Sequence, residues 1–509
     1  MARIDWSKAV DLARAVTNVR SEFPGDWHRD PWGWPELEYV VRTEPQLVVD
    51  RLASTGARQS ALLDVPKENW GTRPAVVLDV LDRVAYQALV DQVSVSLIGD
   101  MSPNTFGWRL PAVDPKKGEY SHNGRQWEGY RDHLATLAGW NTVALKMDIT
   151  SCFASIPIAT AQERIESKCP SNAVTKRLCD LLDGFGNTPE RSGLPQRSLA
   201  SAVIANMILM PLDDVLEGYS GPLMRLFASK VEYRTFARWM DDIWLFGTDP
   251  ARARRAQMDL QSEAQSMGLT LNTAKTQLLE GDDVVASALE IEHSAIDAGI
   301  ADDDFKPLEA LVDELLDQRE QASRTSLKFV LGRMVEHDSR YRVQALLQTA
   351  ERLPHGADGL ADLFKVAFVQ AGLQDWFLEY ARSDWATHQW TVAQYAGMFP
   401  SGHKPKKALR DFYSESVRDA NTSLPLLAVC AQRLAAWEPV EARTTFRDAA
   451  KRVTSPHARR VLALAALSAQ ETRAKVRSWL AADEENAVTL RMLESTSFAA
   501  PKVHALFAG

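Results

Sequence analysis

The sequence has few cysteines, no common metal-binding spacing of cysteine or histidine, and no excess of positive charge. Its four cysteines, Cys152, Cys169, Cys179 and Cys430, show no CxxC spacing, and its ten histidines form no HExxH pattern. These absences argue against a zinc ribbon or a cysteine-rich endonuclease and suit a reducing cytosol. Because the net charge is −9, the chain is not a generally basic nucleic-acid binder, and any such contact requires a local basic groove.

Long apolar runs are also missing from the sequence. No apolar stretch approaches the about 18–20 residues that a membrane span needs, and the N-terminus has no apolar signal region. We therefore expect a soluble, cytoplasmic protein that does not contact a membrane. The 509 residues, of which 45% are hydrophobic and 25% charged, are enough for roughly three globular domains of about 150 residues each.

Two adjacent acids interrupt an apolar, aromatic-rich run. Asp241 and Asp242 lie within residues 238–246, RWMDDIWLF. The aromatic and β-branched neighbours favour two strands, which would place the pair at a hairpin tip. Carboxylates held there repel each other and lose solvation, and a hard cation such as Mg²⁺ would account for the arrangement. On its own, such a pair is more often a solvated turn.

Three further stretches accompany the acid pair. Asp148 ends the apolar run LKMD, Gln196 lies in GLPQRS before an apolar helix, and Lys275 lies in GLTLNTAKT. In chain order, the stretches around Asp148, Gln196, Asp241 and Lys275 resemble motifs A, B, C and D of a reverse transcriptase palm. The resemblance covers residues 61–280 and implies an α+β fold with the fingers and palm of a right-hand polymerase.

The resemblance implies roles for the acidic residues and the lysine. Asp148 and Asp241 are the expected ligands of two Mg²⁺ ions, and Asp242 matches a third carboxylate that is usually bound less directly. One ion would lower the pKa of the primer 3′-hydroxyl, and the other would neutralise the leaving pyrophosphate. Lys275 matches a family lysine that can act as general acid for pyrophosphate, although a solvated lysine at a helix end is the alternative.

Nucleotide-binding residues follow from the same resemblance. Lys67 and Arg73, in a segment similar to the family's fingers hairpin, are expected to contact the incoming triphosphate. Phe153 matches a steric gate that excludes a ribose 2′-hydroxyl and so favours dNTPs, with core packing as the alternative. Gln196 matches the glutamine of the dNTP pocket. Arg197 departs from the family, which mostly has glycine there, so it either changes the nucleotide geometry or adds a phosphate contact.

The two flanking parts of the chain have different patterns. Residues 1–60 are expected to be a helical, tryptophan-rich segment in which Trp27, Trp32 and Trp34 form either an aromatic clasp against the next domain or a stacking platform for bases. In both cases the rings should be buried or half-buried. The fingers and palm are predicted over 61–295, and the stretch ALEIEH near its end is a strand-like candidate for the primer grip, without the family's LG.

Residues 300–509 show apolar positions at helical spacing, separated by proline and glycine. This pattern predicts an all-α domain of HEAT-like repeats in place of the polymerase thumb, with an irregular helical bundle as the alternative. A palm followed by helical repeats resembles the abortive-infection (Abi) and unknown-group reverse transcriptases of bacterial defence.

This second resemblance implies a function in antiphage defence. The expected activity is Mg²⁺-dependent DNA synthesis from dNTPs without an ordinary template, in some relatives primed from a protein hydroxyl and in several carried out by a homo-oligomer. Among ten tyrosines, Tyr39 is the favoured primer because a mobile N-terminal region could reach the palm. The alternatives are a retron or group II intron enzyme, a polymerase that copies a partner non-coding RNA, and a non-enzymatic scaffold that binds a phage or host protein.

Overall fold

The computed structural model describes residues 4–186, 193–221, 234–289, 293, 296–297, 300–301, 304–402, 405–495 and 502–504. The chain forms two compact units, each assembled from separate stretches. The first contains Met1–Glu22, Pro45–Arg58 and Leu81–Ser294, and the second contains Phe23–Glu44, Gln59–Val80 and Ala295–Gly509. This grouping differs from the three consecutive segments expected from the sequence, because the tryptophan-rich segment and the fingers hairpin pack with the C-terminal helices.

The first unit is built on a five-stranded sheet. Its strands, in their order across the sheet, are β3 (Thr105–Phe106), β5 (Phe236–Trp239), β6 (Asp242–Gly247), β4 (Val143–Met147) and β7 (Gln277–Glu280). The first pair is parallel and the other three pairs are antiparallel. The helices of this unit are α1 (Trp6–Ala9), α2 (Leu12–Ser21), α4 (Gln46–Ala53), α5 (Val80–Ile98), α6 (Asn123–Trp140), α7 (Cys152–Ser155), α8 (Ile158–Lys168), α9 (Ala173–Gly186), α10 (Leu199–Tyr219), α11 (Pro250–Ser266) and α12 (Asp282–Ala288).

One face of the sheet is covered by α6 and α12. Side chains that alternate along the strands, such as Trp244 and Phe246, form an apolar cluster with Tyr130, Leu134 and Leu137 of α6. This is the two-residue period of a half-buried strand. The cluster therefore fixes which strand residues face α6.

The helix α10 is the long apolar helix of the first unit. Its 21 residues are long and apolar enough to cross a membrane, which corrects the expectation that no such stretch exists, but 72% of the apolar window is buried inside the protein. Most of its side chains contact protein, which is the situation of a core helix. Its N-terminus is capped by Ser198, whose hydroxyl accepts from the backbone N–H of Ser201.

The second unit contains one hairpin and otherwise helices among its described residues. Strands β1 (Ala61–Pro66) and β2 (Thr72–Val77) pair antiparallel, so this segment forms a hairpin as predicted, while its role as the fingers hairpin stays a prediction. The helices are α3 (Glu36–Arg42), α13 (Lys306–Asp317), α14 (Arg324–Glu336), α15 (Val343–Thr349), α16 (Ala357–Ala367), α17 (Gln370–Ala381), α18 (Gln389–Ala396), α19 (Lys407–Arg418), α20 (Leu424–Trp437), α21 (Pro439–Ala450), α22 (Pro456–Ser468), α23 (Arg473–Leu480) and α24 (Ala487–Glu494).

The C-terminal helices pack in two rows. One row runs through α14, α16, α18, α20 and α22, in which each helix packs against the next but one along the chain, and a second row runs through α17, α19 and α21. Such alternation arises when successive helices are antiparallel and each pair stacks on the previous pair. The prediction that this part is all-helical is confirmed for the described residues from 304 onwards.

The tryptophan-rich segment is buried against these helices. Trp27, Trp32 and Trp34 are 5%, 4% and 4% exposed, which confirms the expected burial and leaves no open ring face for a base. The indole N–H of Trp390 donates to the carbonyl oxygen of Trp27 at 3.0 Å. Below Trp34, Arg460 contacts the ring at 4.3 Å, so the segment is fixed by both apolar and charged contacts.

The proposed primer-grip stretch, residues 288–293, is only partly described. Ala288 is the last residue of the helix α12, and Leu289 continues with helical dihedral angles. The strand-like pattern is therefore wrong at its first two residues, because the apolar side of α12 packs into the cluster below the sheet. Residues 290–292 lie outside the described part.

Candidate active site

Asp241 lies in the two-residue turn between β5 and β6, and Asp242 is the first residue of β6. Trp239 pairs with Asp242 across this turn, and Met240 has a positive φ of 55°. A positive φ is uncommon for a side chain with a β-carbon and indicates a tightly constrained turn. The hairpin predicted from residues 238–246 is confirmed.

Asp148 reaches the same end of the sheet from the neighbouring strand. The last residue pair of the β4–β6 ladder is Met147 with Ile243, so Asp148 follows the ladder directly and Asp242 precedes it directly. The backbone carbonyl of Asp148 accepts from the N–H of Asn272 at 2.8 Å. The sheet therefore brings together acids that are about a hundred residues apart in the sequence.

Asp241 and Asp148 are electrostatically coupled. Burial, followed by the negative charge of Asp148, raises the pKa of Asp241 to about 6. Asp242 adds to this rise, and Lys275 opposes it. A raised pKa of this kind means that the carboxylate has lost solvation without gaining a compensating cation.

The carboxylate of Asp148 has two polar neighbours. The amide nitrogen Nδ2 of Asn272 donates to Oδ2 at 3.1 Å, and Nζ of Lys275 lies 3.7 Å from the same oxygen. The Lys275 side chain is 63% exposed, so its attraction for Asp148 is weakened by solvent. The structure thus places the predicted motif D lysine beside the motif A acid, while its role as a general acid stays a prediction.

Asp242 turns towards the helix α6. Its oxygen Oδ2 accepts from the hydroxyl of Tyr130 at 2.7 Å. Burial raises the pKa of Asp242, while Tyr130 and the charge of Lys146 oppose that rise. Asp242 shares its face of the strand with Trp244, as the two-residue alternation requires. Of the three expected carboxylates, Asp148 and Asp241 therefore form an electrostatically coupled pair. The third, Asp242, is hydrogen-bonded to Tyr130 of α6.

No group of three or more His, Cys, Asp or Glu side chains is arranged to hold a metal ion within the part of the chain that the structure describes. The third carboxylate of such a group would be Asp242, whose Oδ2 accepts a hydrogen bond from Tyr130. The expectation that Asp148, Asp241 and Asp242 are metal ligands stays a prediction.

A buried network supports the turn from below. Arg238 is fully buried and donates through Nε and Nη2 to the two oxygens of Asp213 at 2.6 and 2.8 Å. Its Nη1 donates to the carbonyl oxygen of Met240 and to Oδ1 of Asn206, both at 3.1 Å. Such a guanidinium fork fixes planar geometry, so it holds the backbone immediately before Asp241.

Motifs A and B meet at Phe153. The N–H of Leu194 donates to the carbonyl oxygen of Phe153 at 2.7 Å. Gly193, with φ of 77°, approaches so closely that a β-carbon there would lie 2.2 Å from the same oxygen, which only glycine avoids. Phe153 is half-buried, and these contacts join its backbone to the loop that contains Gln196.

Arg197 adopts the conformation that its family counterpart suggests. Its φ is 59°, in the left-handed region that glycine enters without strain. Arg197 is exposed and Gln196 is half-buried. The glycine usually found at this position therefore has a conformational reason, and arginine pays about 1–2 kcal/mol for the same backbone.

The fingers residues belong to the second unit. The guanidinium of Arg73 lies 5.0 Å from the ring centroid of Trp27, a cation–π contact. The backbone N–H of Lys67 closes the hairpin turn by donating to Gly71 at 2.7 Å. Lys67 and Arg73 belong to the second unit and the carboxylates to the first. Their contacts with a triphosphate therefore stay predictions.

Comparison with known families decides the identity of the region that contains these motifs. The sequence model of the family described as reverse transcriptase (RNA-dependent DNA polymerase) matches residues 65–293. The chain contains a reverse transcriptase domain. The match includes Lys67, Arg73 and the four motifs from Asp148 to Lys275. This part of the chain is thus a nucleotidyltransferase domain of the reverse transcriptase type.

Other comparisons add little to this assignment. No curated protein matches the sequence. A solved structure described as "RNA dependent RNA polymerase, vp4, dsRNA" resembles 63% of this chain at 12% identity with a TM-score of 0.31. The chain spans 30% of the length of that polymerase chain.

Sequence reasoning missed three residues of the candidate site. Tyr130, Asn272 and Arg238 contact Asp242, Asp148 and the Met240 carbonyl respectively. Asn272 had the strongest sequence signal, because it stands three residues before the motif D lysine. For Tyr130 no local signal existed, since it is 112 positions from its partner.

Proposed function

We propose that the protein is an Mg²⁺-dependent DNA polymerase of the reverse transcriptase family. The observation that supports this most directly is the coupled pair of Asp148 and Asp241, half-buried at the ends of neighbouring strands. Fold stability gives no reason to hold two acids together in this way, because the charge of Asp148 raises the cost of ionising Asp241. A divalent cation would remove that cost.

The donor chemistry of the pair fits magnesium. Carboxylate oxygens are the hard ligands that Mg²⁺ prefers, and the ion commonly takes only one or two of them from the protein, completing its shell with water and substrate phosphates. Asp148 and Asp241 would hold it. When bound, the metal lowers the pKa of an attacking hydroxyl and neutralises charge on the phosphates. The chain's own contribution is to fix these acids through Asn272 and Arg238.

Nucleotide selection would fall to residues around the motif A and motif B junction. Phe153, held by the close approach of Gly193, would exclude a ribose 2′-hydroxyl and so select dNTPs. Gln196 would line the dNTP pocket, and Arg197 would add a phosphate contact. Lys67 and Arg73 would bind the triphosphate as a point charge and a bidentate fork.

The C-terminal part would be a HEAT-like repeat domain that replaces the thumb. The two rows of helices support this proposal, since stacking of successive helix pairs is the packing of α-solenoids. A reverse transcriptase palm combined with such a domain supports a role in bacterial antiphage defence, by resemblance to the abortive-infection and unknown-group enzymes. The protein would act as a homo-oligomer that makes a DNA product.

Two modes of initiation are open. In the first, a protein hydroxyl serves as primer without an ordinary template; in the second, the enzyme copies a partner non-coding RNA. Tyr39 is a poor primer in the observed state, because it is buried and its hydroxyl donates to Glu44 at 2.9 Å. Burial and that acid raise the pKa of Tyr39 to about 12, which lowers its reactivity near neutral pH.

Incorporation of labelled dNTPs by the purified full-length protein tests the proposal. Wild-type protein should incorporate label with Mg²⁺, and Asp148→Asn should not, while Asp132→Asn, which changes an exposed acid of α6, should behave as wild type. Label that stays with the polypeptide after boiling in detergent would support protein priming. Label that separates from protein without protease would favour RNA copying, and equal incorporation by Asp148→Asn would contradict the metal site.

A further inference from the structure

In the sequence, the helix α6 lies between the hairpin of β1 and β2 and the motif around Asp148, and none of the polymerase motifs described above includes it. It packs on the face of the sheet below the catalytic hairpin, where Tyr130 and Leu134 join Trp244 and Phe246 in the apolar cluster. A helix that only covered the sheet would need apolar side chains alone. Tyr130 instead carries a hydroxyl into this cluster.

Tyr130 is fixed from several sides. It is 1% exposed, and its ring centroid lies 5.5 Å from Phe106, 5.5 Å from Trp127 and 5.7 Å from Trp239. Rings packed at these distances hold each other in position. The hydroxyl is therefore presented to Asp242 at 2.7 Å by a rigid support, one residue beyond Asp241.

We propose that Tyr130 is a positioning residue for divalent-metal binding, which rests on the proposed function. By donating to Oδ2, the phenol holds the Asp242 carboxylate on the α6 side of the turn. This leaves Asp148 and Asp241 as the pair that faces the cation. Hydrogen bonds from outside the ligand set orient the ligands of metal sites, and losing one typically weakens metal affinity or activity by about 10- to 100-fold.

The hydrogen bond from Tyr130 also restricts the orientation of the Asp242 carboxylate. A carboxylate with one oxygen hydrogen-bonded to a buried phenol has a fixed orientation, which also fixes the position of its second oxygen. Two supports then act on one turn: Arg238 holds the Met240 carbonyl on one side, and Tyr130 holds Asp242 on the other. Asp241 lies between these two fixed residues.

Mn²⁺ binding to the full-length protein tests the proposal without relying on turnover. The free Mn²⁺ signal in electron paramagnetic resonance gives the dissociation constant for wild type, Tyr130→Phe and the control Tyr413→Phe. Tyr413 is also buried, and its hydroxyl donates to Ala396 at 2.6 Å in the second unit. Tyr130→Phe should raise the dissociation constant by about 10-fold or more, while Tyr413→Phe should leave it unchanged.

A double-mutant cycle makes the test specific to the hydroxyl–carboxylate contact. Asp242→Ala removes the acceptor and should weaken Mn²⁺ binding, and adding Tyr130→Phe to it should weaken binding little further, because both changes break one interaction. Unchanged binding in Tyr130→Phe, fully additive effects, or a Tyr130→Phe protein that does not fold would overturn the positioning role alone. Wild-type protein that binds no Mn²⁺ would overturn the metal site itself and this inference with it.

Discussion

Each compact unit contains two acids brought together from different elements, and the two pairs differ in the cation that lies beside them. In the second unit, Asp30 and Glu36 are fully buried and share Arg460, which donates to both carboxylates at 2.7–3.2 Å. In the first unit, no arginine among the described residues donates to Asp148 or Asp241, and Nζ of the exposed Lys275 lies 3.7 Å from Asp148.

The pKa values of Asp30 and Asp241 are shifted in opposite directions. Burial has the largest single effect and raises the pKa of Asp30, but the charge and hydrogen bonds of Arg460, with smaller contributions from His28 and Trp34, together outweigh burial and hold the pKa below its usual range. Burial and Asp148 together raise the pKa of Asp241 to about 6. Acids that share a buried arginine join chain segments, whereas coupled acids with only an exposed lysine nearby indicate a site that is completed by something outside the chain.

Removal of the arginine should have the largest effect on stability. Arg460→Met leaves two buried carboxylates without a cation, and loss of one partner of a buried pair costs about 3–5 kcal/mol. The free energy of unfolding in urea measures this. The matched change Arg477→Met breaks the surface pair with Glu494, in which the arginine is 56% exposed, and should cost about 0–1 kcal/mol. Similar losses in both variants would show that Arg460 does not compensate the acids.

Acid should weaken the same region through a buried histidine. Burial lowers the pKa of His457 to about 4, with His28 and Arg460 adding to the effect. The unfolded chain binds a proton near pH 6.5 and the fold does not, so this contribution is complete above pH 6.5 and is lost as pH falls towards 4. It amounts to about 3 kcal/mol.

A histidine variant isolates this contribution. His457→Gln should flatten the dependence of unfolding free energy on pH between 7 and 4.5, while the exposed His122→Gln should leave the slope as in wild type. A slope that is equally steep in His457→Gln would assign the acid sensitivity to other groups.

The smallest of these expected effects concerns the choice between ribose and deoxyribose nucleotides. Phe153→Ala opens space beside the motif B loop, so use of rNTPs relative to dNTPs should rise, on the order of tenfold to a hundredfold in the ratio of kcat/KM values. Phe329→Ala changes another half-buried phenylalanine, in the second unit, and should leave that ratio unchanged. If Phe153→Ala also leaves it unchanged, the ring is core packing.

The local parts of this account could be predicted from the sequence. Alternation of apolar and aromatic residues around Asp241 predicted the hairpin, and helical spacing predicted the all-helical C-terminal part. The family's usual glycine at position 197 was a usable signal, since Arg197 has the positive φ that glycine tolerates. In each case the information lies within a few residues of the feature.

The long-range contacts could not be predicted. Asp30 and Arg460 are 430 residues apart, and nothing in the sequence around either distinguishes a buried partner from a surface charge. The same holds for Tyr130 and Asp242. Whether a buried acid has a cation nearby depends on tertiary packing, and this is the property that separates the two acid pairs.

The most direct measurement compares Asp241→Asn with Asp30→Asn for dNTP incorporation and for the free energy of unfolding. Asp241→Asn should abolish incorporation with Mg²⁺ and leave stability equal to wild type or higher, because the amide no longer repels Asp148. Asp30→Asn should lower stability and leave the folded protein active. Near wild-type incorporation by Asp241→Asn, or a loss of stability as large as that of Asp30→Asn, would contradict the assignment of Asp148 and Asp241 as the metal-binding pair.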